Sequence, residues 1–135
     1  MSEEFADRYP YKILIAEDNI INQKLIIKVL NKLGYDPQLA NNGREAVDML
    51  NVEFFDIVFM DMQMPELDGL EATRLIRQTL ERQPKIVAMT ANAMVEDREE
   101  CLNAGMDHYI SKPIKLQELI DYLQKIASGP VSSDV

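Results

Sequence analysis

Cysteine, histidine and tryptophan are nearly missing from this chain of 135 residues, which has one cysteine (Cys101), one histidine (His108) and no tryptophan. A lone cysteine excludes an internal disulfide and suits a reducing compartment. With a single residue of each type, a Cys/His zinc cluster cannot be assembled. Apolar runs long enough to span a bilayer are absent, as is a signal peptide, so the expected location is cytoplasmic. Basic residues are also scarce: 14 Lys and Arg stand against 23 Asp and Glu, for a net charge of −9. Such a balance repels nucleic acid and anionic membranes unless a local basic patch overrides it. The linear sequence shows no such patch, and neither nucleic acid nor direct membrane contact is expected.

What is present is enough apolar content, 47% of residues, for one compact domain with a single sizeable core. Residues 1–10, MSEEFADRYP, are polar without sustained period and read as a flexible lead-in. The domain is expected over 11–127, with 128–135, GPVSSDV and its preceding Ser, as a flexible polar tail. Within it, short apolar runs alternate with helical patterns. Lys12 to Ala16, Pro37 to Ala40, DIVFMD, KIVAMT and DHYIS read as strands. Helices are expected over Ile20 to Leu33, around Ala46, Val47 and Leu50, from about Glu71 to Glu81, over Val95 to Ala104, and from about Leu116 to Ala127, with Gly34 and Gly105 as stops. Five alternations with strands this apolar imply a doubly wound α/β fold, (βα)5, with a parallel sheet covered by helices on both faces. The common order for five such strands is 2-1-3-4-5, which makes the first and third strands neighbours.

Polar residues then fall at the carboxyl ends of strands: Glu17 and Asp18 after the first, Asp61 at the third, Thr90 at the fourth and Lys112 after the fifth. Ligands bind on that edge of such sheets. Singly, each has an ordinary explanation; Asp18 or Asn19, for example, would cap the next helix. Jointly they form a site. Three acids in one crevice need a cation, and oxygen donors without nitrogen or sulfur suit Mg²⁺, for which Mn²⁺ could substitute. An aspartate carboxylate is a competent nucleophile toward phosphorus and needs no general base, being ionised near neutral pH. Phosphoryl transfer asks mainly for positioning and charge neutralisation, which Mg²⁺, Lys112 and the Thr90 hydroxyl can supply.

The segments ILIAEDNIINQ, DIVFMDMQMPELDGLEATRLIR, IVAMTANAM and GMDHYISKPI, in this order and at these strand ends, resemble receiver domains of the two-component response regulator family over about Tyr11 to Ala127. The resemblance implies a flavodoxin-like fold, with 2-1-3-4-5 the order of the family's chemotaxis member. It implies that Asp61 is the phosphoacceptor, Glu17 and Asp18 the metal acids, Thr90 the switch hydroxyl and Lys112 the phosphate-contacting lysine. It also implies that the backbone carbonyl of Gln63 is a metal ligand, that Lys112-Pro113 is a cis peptide and that Tyr109 is the switch aromatic. Such a domain catalyses its own phosphorylation and dephosphorylation. His108 is expected at the surface, and Gln63 and Asn92 where they could influence water's access to an acyl phosphate.

EDNIINQ, MDMQMPELDGLEATRLIR and the AGMDHYISKPI segment are most similar to receivers of hybrid sensor histidine kinases, whose parent protein can be membrane-anchored. The expected partners are a histidine kinase core or a histidine phosphotransfer domain, and the isolated domain is expected to be a monomer. A stand-alone regulator is the alternative. A metal-dependent phosphohydrolase is disfavoured because Gln63 stands where such enzymes resemble one another in carrying a second acid. A nucleotide module is disfavoured because EDNIIN has no glycine, and a degenerate receiver because all five site residue types are retained. A donor must reach the strand-end face past Ile20, Ile21 and the loop at Pro113. Since successive helix residues point about 100° apart, at least one isoleucine should face outward as a docking contact.

Overall fold

The structure, a computed structural model, describes residues 2–62, 64, 67–90, 95–112 and 114–133. Gln63, Asn92 and Pro113, and with them the expected carbonyl ligand, the water-access residues' placement and the cis peptide, lie outside the described residues. Among the described residues eleven elements follow one another: α1 (Ser2–Arg8), β1 (Ile13–Ala16), α2 (Ile20–Lys32), β2 (Gln38–Ala40), α3 (Gly43–Val52), β3 (Ile57–Asp61), α4 (Gly69–Thr79), β4 (Lys85–Thr90), α5 (Val95–Ala104), β5 (His108–Ser111) and α6 (Leu116–Ser133). The sheet is parallel throughout, in the order β2-β1-β3-β4-β5. This is the doubly wound, flavodoxin-like arrangement.

Alternation along each strand divides the core in two. Ile13, Ile15, Ile57, Phe59, Val87, Met89 and Ile110 point to the side covered by α2 and α6, where Ile26, Leu30, Leu119 and Leu123 meet them. Leu14, Ala16, Val58, Met60, Ile86 and Ala88 point to the opposite side, against Val47 and Leu50 of α3, Ala72 and Ile76 of α4, and Cys101 of α5. Burial on both faces explains why β1 and β3 read as unbroken apolar runs. Among the described residues, Asn19, Asn42 and Asp68 cap α2, α3 and α4, accepting hydrogen bonds from the backbone N–H groups of Asn22, Glu45 and Glu71. Gly34 and Gly105 have φ of 97° and 109°, the left-handed geometry that ends α2 and α5.

Two end segments differ from expectation. The lead-in is not irregular: it forms α1, whose Phe5 packs on the core and lies 6.3 Å edge-on to Tyr35. The Ala6 N–H donates to the Leu33 carbonyl, and the Tyr35 hydroxyl to the Tyr9 carbonyl. Tertiary docking stabilises a helix that its own sequence does not signal. At the other end α6 continues to Ser133 rather than stopping near Ala127. A third difference is His108, which is half-buried, its ring stacked on Tyr122 at 4.7 Å and 7°.

Candidate functional site

The β1 and β3 registers, with Ala16 opposite Met60, bring Glu17, Asp18 and Asp61 together at the carboxyl edge. One oxygen from each of the three lies within 4.8 Å of the other two. Glu17 and Asp61 are buried, at 1% and 5% exposure, whereas Asp18 is open to solvent. The cap on α2 is supplied by Asn19, which leaves Asp18 to the site. Glu17 is held by several donors: its Oε2 accepts from the Asn19 N–H at 3.1 Å, and its carbonyl accepts from the Gln23 side-chain amide.

Lys112 closes the site from the neighbouring end of the sheet. Its N–H donates to the Thr90 carbonyl, and its ammonium donates to Asp61 Oδ1 at 3.0 Å and lies 3.2 Å from Glu17 Oε1. The latter contact is an ion pair without hydrogen-bond alignment, since buried Oε1 accepts no hydrogen bond from the described residues. Burial, followed by its hydrogen bond and repulsion with Asp61, raises the Glu17 pKa; Asn19 and Lys112 oppose the rise only in part. Burial would lower Lys112, but Asp61 and Glu17 outweigh it and raise its pKa, keeping it cationic. A buried carboxylate oxygen with no aligned donor, beside two further carboxylates, fits a hard divalent cation.

Thr90 follows Met89, the residue paired with Asp61, and is buried at 8% exposure. Tyr109, on the edge strand β5, is partly buried; its hydroxyl accepts from Arg98 of α5 at 2.7 Å, and the guanidinium lies 5.4 Å from its ring centroid. Ile20 and Ile21 are both exposed, at 64% and 76%.

Other residues supporting the site were not singled out in the sequence. Buried Gln23 also donates to Asn41 and so ties the β1 and β2 ends together. Its spacing with Ile26, Leu30 and Leu33 on the core stripe was the available signal. At Gly69 a Cβ would lie 2.3 Å from the Asp61 carbonyl oxygen. At Gly43 a Cβ would meet the Leu67 carbonyl oxygen at 2.0 Å. Leu67 and Asp68 can pack between the end of β3 and the start of α3 because Gly43 and Gly69 both lack a side chain.

The family model for response regulator receiver domains matches residues 13–124. The chain belongs to that family. The receiver domain is 46% identical over 123 residues to hybrid signal transduction histidine kinase H of Dictyostelium discoideum, covering 87% of the chain. It is 41% identical to histidine kinase 5 of Arabidopsis thaliana over 84% of the chain. The chain spans only 9% and 15% of those two relatives' lengths. Among solved structures, it resembles the receiver domain of a sensor histidine kinase from Pseudomonas aeruginosa PAO1, with a magnesium ion coordinated in the active-site cleft. The TM-score is 0.79 at 44% identity, covering 85% of this chain and 95% of that one. A second similar structure is the receiver domain of a Saccharomyces cerevisiae response regulator, co-crystallised with its histidine phosphotransfer protein. Its TM-score is 0.77 at 34% identity, covering 84% and 86%. In the receiver domain itself, no helix among the described residues is long and apolar enough to cross a membrane.

Proposed function

We propose that the receiver domain accepts a phosphoryl group from phosphohistidine onto Asp61, and that it does so within a hybrid sensor histidine kinase, passing phosphate on to or from a histidine phosphotransfer domain. The observation that carries the proposal is the arrangement around Asp61. Its carboxylate stands at the mouth of a buried strand, paired with Lys112 at 3.0 Å and flanked by Glu17 and Asp18.

A carboxylate oxygen of Asp61 attacks phosphorus in line, the phosphorus–nitrogen bond of the donor breaks, and its electron pair leaves with the imidazole nitrogen. Lys112 is held cationic by its acidic neighbours and meets the negative charge of the transferring phosphoryl oxygens. The Thr90 hydroxyl, at the adjacent strand end, donates to one of those oxygens. Glu17, Asp18 and Asp61, with the Gln63 carbonyl, would hold Mg²⁺, or Mn²⁺ in its place. When bound, the ion supplies positive charge to the phosphoryl oxygens and offsets repulsion among the acids.

Phosphorylation adds charge and acceptor oxygens at the β4 and β5 ends, which biases Thr90 and, through the α5 face, Tyr109. Reorientation of Tyr109 exchanges its contact with Arg98 for a new one. The donor docks over Ile20 and Ile21 and the loop at Pro113. A cytoplasmic setting and a monomeric isolated domain accompany this reading. Its test is transfer of label from a phosphorylated histidine phosphotransfer domain in the presence of Mg²⁺, with Asp61→Asn as control; label on the control as strong as on the parent would reject it.

A further inference from the structure

Helix α2 departs from the charge of the rest of the receiver domain. The chain carries −9, yet IINQKLIIKVLNK contains three lysines and no acid. Lys24, Lys28 and Lys32 lie four residues apart, so each points within about 40° of the last. The linear sequence hides this basic cluster, and helical geometry gathers it. All three are exposed, and none is ion-paired with a described acidic residue. At the site end of the same exposed face stand Ile20, Ile21 and Leu25, at 64%, 76% and 39% exposure. Leu25 lines a small cleft with Glu17, Asn22, Lys112 and Ile114. The outer face of α2 therefore has an apolar head beside the acids and a basic row extending roughly 12 Å along the axis from Lys24 to Lys32.

We propose that the Lys24, Lys28 and Lys32 row selects a phosphotransfer partner whose docking helix bears acidic side chains alongside its phosphohistidine. The inference rests on the phosphorelay reading of the site and names the chemistry of the partner. A partner that brings phosphorus to Asp61 must come over the head of α2, where the exposed isoleucines offer apolar contact. A row of cations four residues apart matches a row of acids at the same repeat on a helix laid across it. Screening over about 8–10 Å makes the approaching partner respond to these lysines more than to acids on the far side of the domain. Charges at such a rim act mostly on the association rate, by about 10-fold to 10³-fold at low salt.

The experiment uses one phosphotransfer domain in two versions, with Glu or with Lys at the exposed helix positions flanking its phosphohistidine. Transfer is timed to the wild type, to the K24E/K28E/K32E variant and to Ile21→Asp, at low and high ionic strength, with acetyl phosphate as a small donor. The wild type is expected to accept from the Glu version at least about ten-fold faster at low salt. That ratio should collapse at high salt and invert in the triple variant, whose labelling by acetyl phosphate stays unchanged. Equal rates from the two versions, or a preference that survives charge reversal, overturn the proposal. If Ile21→Asp then still slows transfer from both, docking over α2 stands while the lysine selection falls; if it slows neither, the docking reading falls as well. Wild-type binding to phosphatidylserine vesicles that the triple variant loses, without charge preference in transfer, assigns the row to a lipid surface and overturns the proposal.

Discussion

Lys112 reaches across from the end of β5 to donate to Asp61 at the end of β3, a 3.0 Å contact that spans β4 and ties together three strand ends. Its backbone N–H bonds the Thr90 carbonyl on the intervening strand, so the lysine is aimed by the sheet edge itself. Replacing it with Met removes the cation nearest two buried carboxylates. Lys112→Met should lower stability by about 1.5–3 kcal/mol without metal, and Mg²⁺ should restore more stability to the variant than it adds to the parent. Urea denaturation with and without Mg²⁺ measures both, and equal increments would show that Lys112 and the ion do not share the same charge.

Glu17 gives a pH dependence of defined sign. Its folded pKa is raised, so the fold favours the protonated form. That contribution is present below the ordinary value near 4.5 and lost as pH rises through the folded value. Above the folded value, ionised Glu17 therefore strains the metal-free protein. Glu17→Gln should raise the metal-free melting temperature and abolish most of the increase that Mg²⁺ gives the parent. A variant that melts lower without metal and gains as much from Mg²⁺ would show that Glu17 neither strains the site nor holds the ion.

His108 has the opposite sign. Burial lowers its pKa below 6.5, helped by Lys125 and opposed by Glu118. Stability is complete above the unfolded value and declines as pH falls through the folded one. His108→Phe, which keeps the stack on Tyr122, should lose less stability than the parent between about pH 7.5 and pH 5. Parallel losses in chemical denaturation would remove His108 as the cause.

The strands and most helices were legible because unbroken apolar runs, helical apolar stripes and glycine stops are local signals; β4 and α5 lie where the sequence reading put them, over Lys85–Thr90 and Val95–Ala104. Their order and the strand-end edge then grouped Glu17, Asp18, Asp61, Thr90 and Lys112. Contacts made only through tertiary structure were not legible. Helix α1 has too narrow an apolar face, centred on Phe5, to announce itself. The roles of Gly43 and Gly69 depend on a loop whose path no local pattern encodes. The same holds for Arg77, which donates from α4 to the carbonyls of Gly105 and Pro84, and to Gln83 and Asp107.

That arginine joins the ends of α4 and α5 to the starts of β4 and β5, since Asp107 Oδ2 also accepts from the Ile86 N–H. Arg77→Ala should cost about 1–3 kcal/mol by taking the guanidinium donors from the Gly105 and Pro84 carbonyls. Lysine should recover only part of that, lacking the planar fork. A lysine variant as stable as the parent would reduce the arrangement to a simple charge pair.

Gly69→Ala tests the close approach of α4 to the backbone of Asp61. With the Asp61 carbonyl oxygen 2.3 Å from the added Cβ, the backbone must shift, at a cost of about 1–3 kcal/mol. Phosphorylation should slow together with the loss of stability, whereas unchanged values for both would show that the loop has room to spare.

The central claim is that Asp61 is the phosphoacceptor. Intact-mass spectrometry after incubation with acetyl phosphate and Mg²⁺ tests it most directly, with Asp61→Asn and a sample lacking divalent metal as controls. The account predicts the mass of one added phosphoryl group on the parent, reversed by hydroxylamine, and none on either control. No increase on the parent, or the same increase on Asp61→Asn, would contradict it.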